Sequence, residues 1–219
     1  MNTAINIYSK SVSFGAAAVC LAGSVLLLPT AALGHSAEEH AAHMKKAGQT
    51  AGAGTDDYTR TVKIYVVPDV VLTDADDRPV RLRALLAGND PVMMNFIFTT
   101  CSTICPVMTK VFADVPVRLG GEAKHLRMIS ISIDPENDTP LQLKAYAKSF
   151  QAGERWKFLT GRTQDIKAVQ LAFDSYRGDK MSHEPLTLMR QAPGKPWVRL
   201  DGFASPEQLV REYRKVLQQ

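Results

Sequence analysis

Two cysteines, Cys101 and Cys105, stand with three residues between them in Thr99-Thr100-Cys101-Ser102-Thr103-Ile104-Cys105-Pro106. Thiols this close either form a structural disulfide, exchange disulfides with another protein, or bind a soft metal. Proline suits the first helical turn and disfavours the α conformation in the residue before it. The spacing therefore predicts a helix from Pro106, with Cys105 at its mouth and Cys101 in the loop before it. If both were helical, their Cβ atoms would lie roughly 5 to 6 Å apart, beyond the ~3.8 Å typical of a disulfide, whereas a loop can close that gap. Such a pair can open and close, and the amides and dipole of the helix N-terminus favour thiolate over thiol. A bridge closing so short a loop gains little unfolded-state entropy, which argues against a purely structural role. Two thiolates leave a metal site incomplete, because cuprous copper commonly takes three soft or borderline ligands and structural zinc four.

A further ligand must come from elsewhere, and the chain has five histidines. His125 precedes an apolar run, between Lys124 and Leu126, where a surface position is expected. His183 lies in the polar loop Gly178 to Pro185, just before the strand-like Leu186 to Met189. That loop enters a strand rather than leaving one, so only a crossing geometry brings it to the cysteines. Read from spacing alone, a loop histidine is more often solvent-exposed than a ligand, and its role stays open. His35, His40 and His43 belong to a different segment. Residues 35–57 are rich in Ala, Gly, Glu, Lys and Thr and too poor in apolar bulk to fold alone. This is a tether, helical at most from Ala37 to Lys46, and reads as a solvated linker with a weak metal-collecting arm as the sharper alternative.

The remaining composition narrows the class. The 219 residues are 45% hydrophobic and 22% charged, with a net charge of +4 that is spread without a basic stripe. One domain plus an appendage is expected, and nucleic acid is not an expected partner. Residues 1–34 hold an apolar run of 17 residues from Val12 to Leu28, then Pro29 and the small residues Ala32 and Gly34. The run is long for a signal peptide and short for a membrane span, so a cleaved signal or an uncleaved membrane anchor fits. Either exports the rest, to the periplasm or to a membrane surface facing it. Cys20 falls in this leader, which leaves Cys101 and Cys105 as an even pair.

The pair needs elements to hold it, and residues 58–219 supply an alternating α/β pattern. Thr61 to Val67 and Val70 to Thr73 are β-rich, and a turn over Asp74 to Pro79 leads to Val80 to Leu82, so a small hairpin should precede the main fold. Val92 to Phe98 is almost continuously apolar, as in a strand covered on both faces, and is expected to be central. Leu126 to Ile133, Lys157 to Leu159, Leu186 to Met189 and Val198 to Leu200 complete a mixed sheet. Thr139-Pro140-Leu141-Gln142 and Ser205-Pro206-Glu207-Gln208 each combine a capping hydroxyl, a proline at the first helical position and a returning Gln. They should open helices to Phe150 and Leu217, and Thr163 to Phe173 reads as a third helix.

Phe96 to Cys101, the Cys-x-x-x-Cys-Pro that follows, the stretch Ile131-Ser132-Ile133-Asp134-Pro135-Glu136-Asn137-Asp138-Thr139-Pro140, and Leu159-Thr160-Gly161 together resemble the SCO/SenC family over about Val67 to Leu217. The resemblance implies a thioredoxin-like fold with an added N-terminal hairpin, and copper as the bound metal. It implies Cys101, Cys105 and His183 as ligands, and copper delivery to a partner such as a cytochrome c oxidase subunit. As the second reading, it allows a thiol-disulfide oxidoreductase in which Cys101 and Cys105 reduce a client's cysteines together with a redox partner. Two departures reduce the negative charge near the site: Ser102-Thr103-Ile104 replaces an acidic residue often found between the cysteines, and Ser182 replaces an Asp before the histidine. The carboxylates of Asp134 to Pro140 read mainly as a turn and helix start, with partner contact as a further role. A peroxidase is disfavoured, because a peroxiredoxin-like motif ending at Cys101 needs proline and threonine where Met94 and Phe98 stand.

Overall fold

The computed structural model describes residues 57–219. The leader, most of the tether and His35, His40 and His43 lie outside the described residues. Among those described, no helix is long and apolar enough to cross a membrane.

The core is an eight-stranded mixed sheet with β1 (Tyr58–Lys63), β2 (Val71–Asp74), β3 (Pro79–Arg81), β4 (Val92–Ile97), β5 (Arg127–Ser132), β6 (Trp156–Thr160), β7 (Leu186–Arg190) and β8 (Trp197–Gly202). Their spatial order is β1-β8-β7-β4-β5-β6-β2-β3. The helices are α1 (Leu82–Leu86), α2 (Ile104–Leu119), α3 (Pro140–Ser149), α4 (Thr163–Ala172) and α5 (Pro206–Val216). All six residues of β4 are buried. The pleat sends Met93 and Ile97 into one core with Phe112 and Val115 of α2, Leu143 of α3 and Tyr213 of α5. It sends Val92, Met94 and Phe96 into the other, with Leu82 and Leu86 of α1 and Ile166 and Val169 of α4. Cover on both faces is why this strand reads as an apolar run broken only by Asn95.

The expected hairpin is β2 and β3, joined antiparallel and attached to the sheet through β6. The first β-rich segment behaves differently from its neighbour: β1 crosses to the opposite edge and pairs with β8. Both expected capping boxes are formed, at Thr139 and Ser205. Several boundaries shift, and the segment expected over Thr61 to Val67 is strand only to Lys63, within a β1 that begins at Tyr58. Leu82 opens the short α1 instead of ending a strand, because Leu82 and Leu86, four apart, both reach the core. The helix expected from Pro106 begins at Ile104, and Pro106 takes its first turn, where an amide hydrogen would have no intrahelical partner.

Candidate metal and redox centre

Strand direction decides which loops meet. β4 and β5 run parallel, with Ile97 opposite Ser132, so the chains leaving their carboxyl ends emerge side by side. One carries the cysteines and the other carries Asp134 and Asp138. β7 is antiparallel to β4, with Asn95 opposite Thr187. The loop entering β7 therefore arrives at the end that the cysteine loop leaves, which supplies the crossing geometry that His183 requires.

Asp138 fastens the first two loops together. Its fully buried carboxylate accepts from the Thr99 amide at 3.1 Å and the Thr99 hydroxyl at 2.5 Å, and from the Ser132 hydroxyl at 2.6 Å. Asp134, also buried, accepts from Asn137 Nδ2 at 3.0 Å, and Lys180 Nζ lies 2.6 Å from it. These carboxylates turn inward to shape the site. Their signal in the sequence was two aspartates four apart directly after a buried strand, but only the parallel pairing identifies what they hold.

The cysteines are free thiols, buried with Phe98 and flanked by Ile104 and Ile133. Cys105 lies inside the first turn of α2, a correction to its expected place at the helix mouth, while Cys101 stays in the loop as expected. The Cys105 amide donates to Cys101 Sγ at 3.4 Å, and the Thr103 hydroxyl lies 3.6 Å from the same sulfur. Burial alone would push the Cys101 thiol up, but these donors outweigh it and set it at about 7. Burial pushes Cys105 up to about 12, assisted by the neighbouring Cys101 and by the charge of Asp138. The pair is thus one ready thiolate and one retained thiol.

His183 is half-buried on the Phe96 side, with ring centroids 6.5 Å apart. Its Nε2 lies 3.1 Å from the Phe96 carbonyl; a carbonyl only accepts, so this nitrogen carries the hydrogen. Burial lowers its pKa, partly offset by that bond. The structure brings Cys101 and Cys105 together and does not bring His183 onto them: among the described residues, no three His, Cys, Asp or Glu side chains converge to hold a metal ion. The two sulfurs suit a soft metal. His125 is exposed, as expected of a surface position.

Residues 59–218 match the SCO1/SenC family model. The chain is 40% identical to the SCO1 protein homolog of Bacillus subtilis (strain 168) over 114 residues, which is 52% of this chain and 58% of that protein. Among solved structures, BsSco, described as a member of the Sco family of cytochrome c oxidase assembly proteins with a disulfide switch, superposes with a TM-score of 0.61. That match has 29% identity and covers 72% of this chain and 96% of the other. ScoI of Bradyrhizobium japonicum, solved with copper bound, gives a TM-score of 0.56 at 25% identity, covering 69% and 99%.

Proposed function

The chain belongs to the SCO1/SenC family, and from that premise we propose that it carries copper as cargo on Cys101, Cys105 and His183 and passes it to a copper-receiving protein such as a cytochrome c oxidase subunit. The observation that carries this reading is the sulfur pair at the α2 N-terminus, where the Cys105 amide faces Cys101 Sγ. Soft thiolates favour cuprous copper, and a neutral imidazole can complete three-coordination without adding charge. Cargo must also leave, so ligands on movable loops suit ligand exchange with a partner better than a closed four-ligand cage does. Residues 58–219 form the copper-handling domain, residues 35–57 the tether and residues 1–34 the signal or anchor, placing the domain on the exported side of a membrane. Metal analysis of the reduced chain tests this: one copper per chain, lost in Cys101→Ala and His183→Ala, supports it, and unchanged loading in either variant overturns the ligand set.

The asymmetry of the two thiols favours a second activity, reduction of a client disulfide. The Cys101 thiolate attacks one client sulfur, forming a mixed disulfide and releasing the other as a thiolate. Cys105 then gives up its proton and attacks Cys101 Sγ, which releases the second client sulfur and leaves Cys101 and Cys105 oxidised. A thiol reductant returns the two electrons. His183→Ala separates the activities, since disulfide reduction should survive in it while copper loading is lost.

A further inference from the structure

The histidine loop is tied to the cysteine side of the molecule by one ion pair. Lys180 Nζ lies 2.6 Å from Asp134 Oδ2, with the Lys180 side chain about one-third exposed and Asp134 nearly closed off from water. The same ammonium lies 5.8 Å from the centre of the Phe98 ring, directly above the hydrophobic seat of the cysteines. Asp134 cannot follow the loop outward, because Asn137 Nδ2 donates to it and its own amide donates to Ser132 Oγ at 3.0 Å. The anchor is thus rigid and the lysine is the movable half.

The loop itself is built to move as a unit. Arg177 Nε reaches Glu184 across it at 3.4 Å, and Asp179 caps the short turn Lys180–Ser182 by accepting from the Met181 amide at 3.0 Å. Beneath it is a cavity of about 160 Å³ bordered by Ile133, Pro135, Ile166, Lys180 and His183. Space on one side of the histidine means that its displacement does not require the core to open. With the ion pair formed, His183 donates to the Phe96 carbonyl and is not joined to the cysteines.

We propose that the Lys180 and Asp134 pair is a latch that keeps His183 parked on Phe96, so that opening of this pair governs when the histidine can reach Cys101 and Cys105. This rests on the copper-ligand set proposed above. In thermodynamic form, only the unlatched fraction of molecules offers three ligands, and the apparent copper affinity is reduced by that fraction. An ion pair with one partner largely buried shifts such an equilibrium by about fivefold, the upper part of the range for pairs that keep some solvent contact.

The test uses the full chain with Lys180→Met, which keeps the length and apolar stem of the side chain, and Lys180→Arg, which keeps the charge. In the copper-free protein, solvent exchange of the His183 Nε2 hydrogen, followed by nitrogen-15 NMR of the ring, should be about fivefold faster in Lys180→Met. It should be close to wild type in Lys180→Arg. Copper titration should show affinity tightened by a similar factor in Lys180→Met, and Lys180→Met should not restore the loading that His183→Ala removes. Unchanged ring exchange, or weaker copper binding in Lys180→Met, overturns the latch. Copper binding that survives His183→Ala overturns the ligand set and the copper half of the inference, while the copper-free exchange rates still decide whether the pair holds the loop.

Discussion

The backbone amide of Cys105 donates to the sulfur of Cys101 across 3.4 Å. The bond makes the two cysteines chemically unequal. Cys101 gains donors from the helix start, whereas Cys105, two per cent exposed, is enclosed by apolar neighbours and faces a thiolate beside it. Either copper binding or disulfide exchange then begins at Cys101, because the thiolate is both the metal ligand and the nucleophile.

Alkylation of the reduced, metal-free chain should reflect this inequality. Reaction at Cys101, resolved by mass spectrometry, should rise to half its plateau near pH 7, while Cys105 stays unreactive until strongly alkaline pH. Thr103→Val removes the hydroxyl beside Cys101 Sγ and should move the Cys101 midpoint upward. Equal reactivity of the two thiols at pH 7 would contradict the assignment.

The same inequality makes stability depend on pH. Between pH 7 and 9 the unfolded Cys101 holds a proton that the folded one has lost, so stability rises with pH, by about 2 to 3 kcal/mol for a shift of this size. Above pH 9 the folded Cys105 keeps a proton that the unfolded one has lost, and stability falls again. Urea unfolding of the reduced protein should therefore be most resistant near pH 9. Cys101→Ser should lose the rise between pH 7 and 9 and keep the fall.

Asp138 is fully buried and accepts from Thr99 and Ser132. Asp138→Ala leaves those donors enclosed without a partner, at a cost of about 3 kcal/mol or more. The cysteine loop loses its tie to β5 as well. Thermal unfolding should show the loss, and amide exchange at Thr99 to Cys101 should accelerate. Asp138→Asn, which retains an acceptor oxygen, should recover part of both.

Ser130 bridges two groups in the middle of the sheet: its hydroxyl donates to Asn95 Oδ1 at 2.6 Å and accepts from Trp156 Nε1 at 2.9 Å. Ser130→Ala removes few atoms yet strands two polar groups, so a loss of about 1 to 3 kcal/mol is expected in urea unfolding. Trp156 fluorescence should change with it. A cost near zero would mean that water or a neighbour replaces the bridge.

The two capping boxes provide a calibrated comparison. Thr139→Ala and Ser205→Ala each remove a side-chain acceptor for the third helical amide. Each should cost about 1 kcal/mol by chemical unfolding.

Much of this was legible in the order of residues. Val92 to Ile97 is apolar at every position but Asn95, so burial on both faces followed from composition alone. The caps at Thr139 and Ser205 followed from local hydrogen-bond chemistry, which needs no distant partner. The start of α2 was less legible, because proline is tolerated at several positions of a first turn and the sequence could not choose among them. Nothing local distinguished β1 from its neighbour β2, since strand propensity does not specify which edge of a sheet a strand joins.

The sequence by itself determined that a cysteine pair follows the central strand, that a helix begins beside it, and that the chain resembles a known family, because these depend on neighbours in the chain. Tertiary structure alone decided the rest. Parallel pairing of β4 with β5 turned Asp138 onto Thr99, antiparallel pairing with β7 delivered His183 to the same end of the sheet, and Lys180 found Asp134 across 46 positions of sequence. These are consequences of strand direction and order, which are set by how the whole chain buries its apolar faces and not by any residue's immediate surroundings.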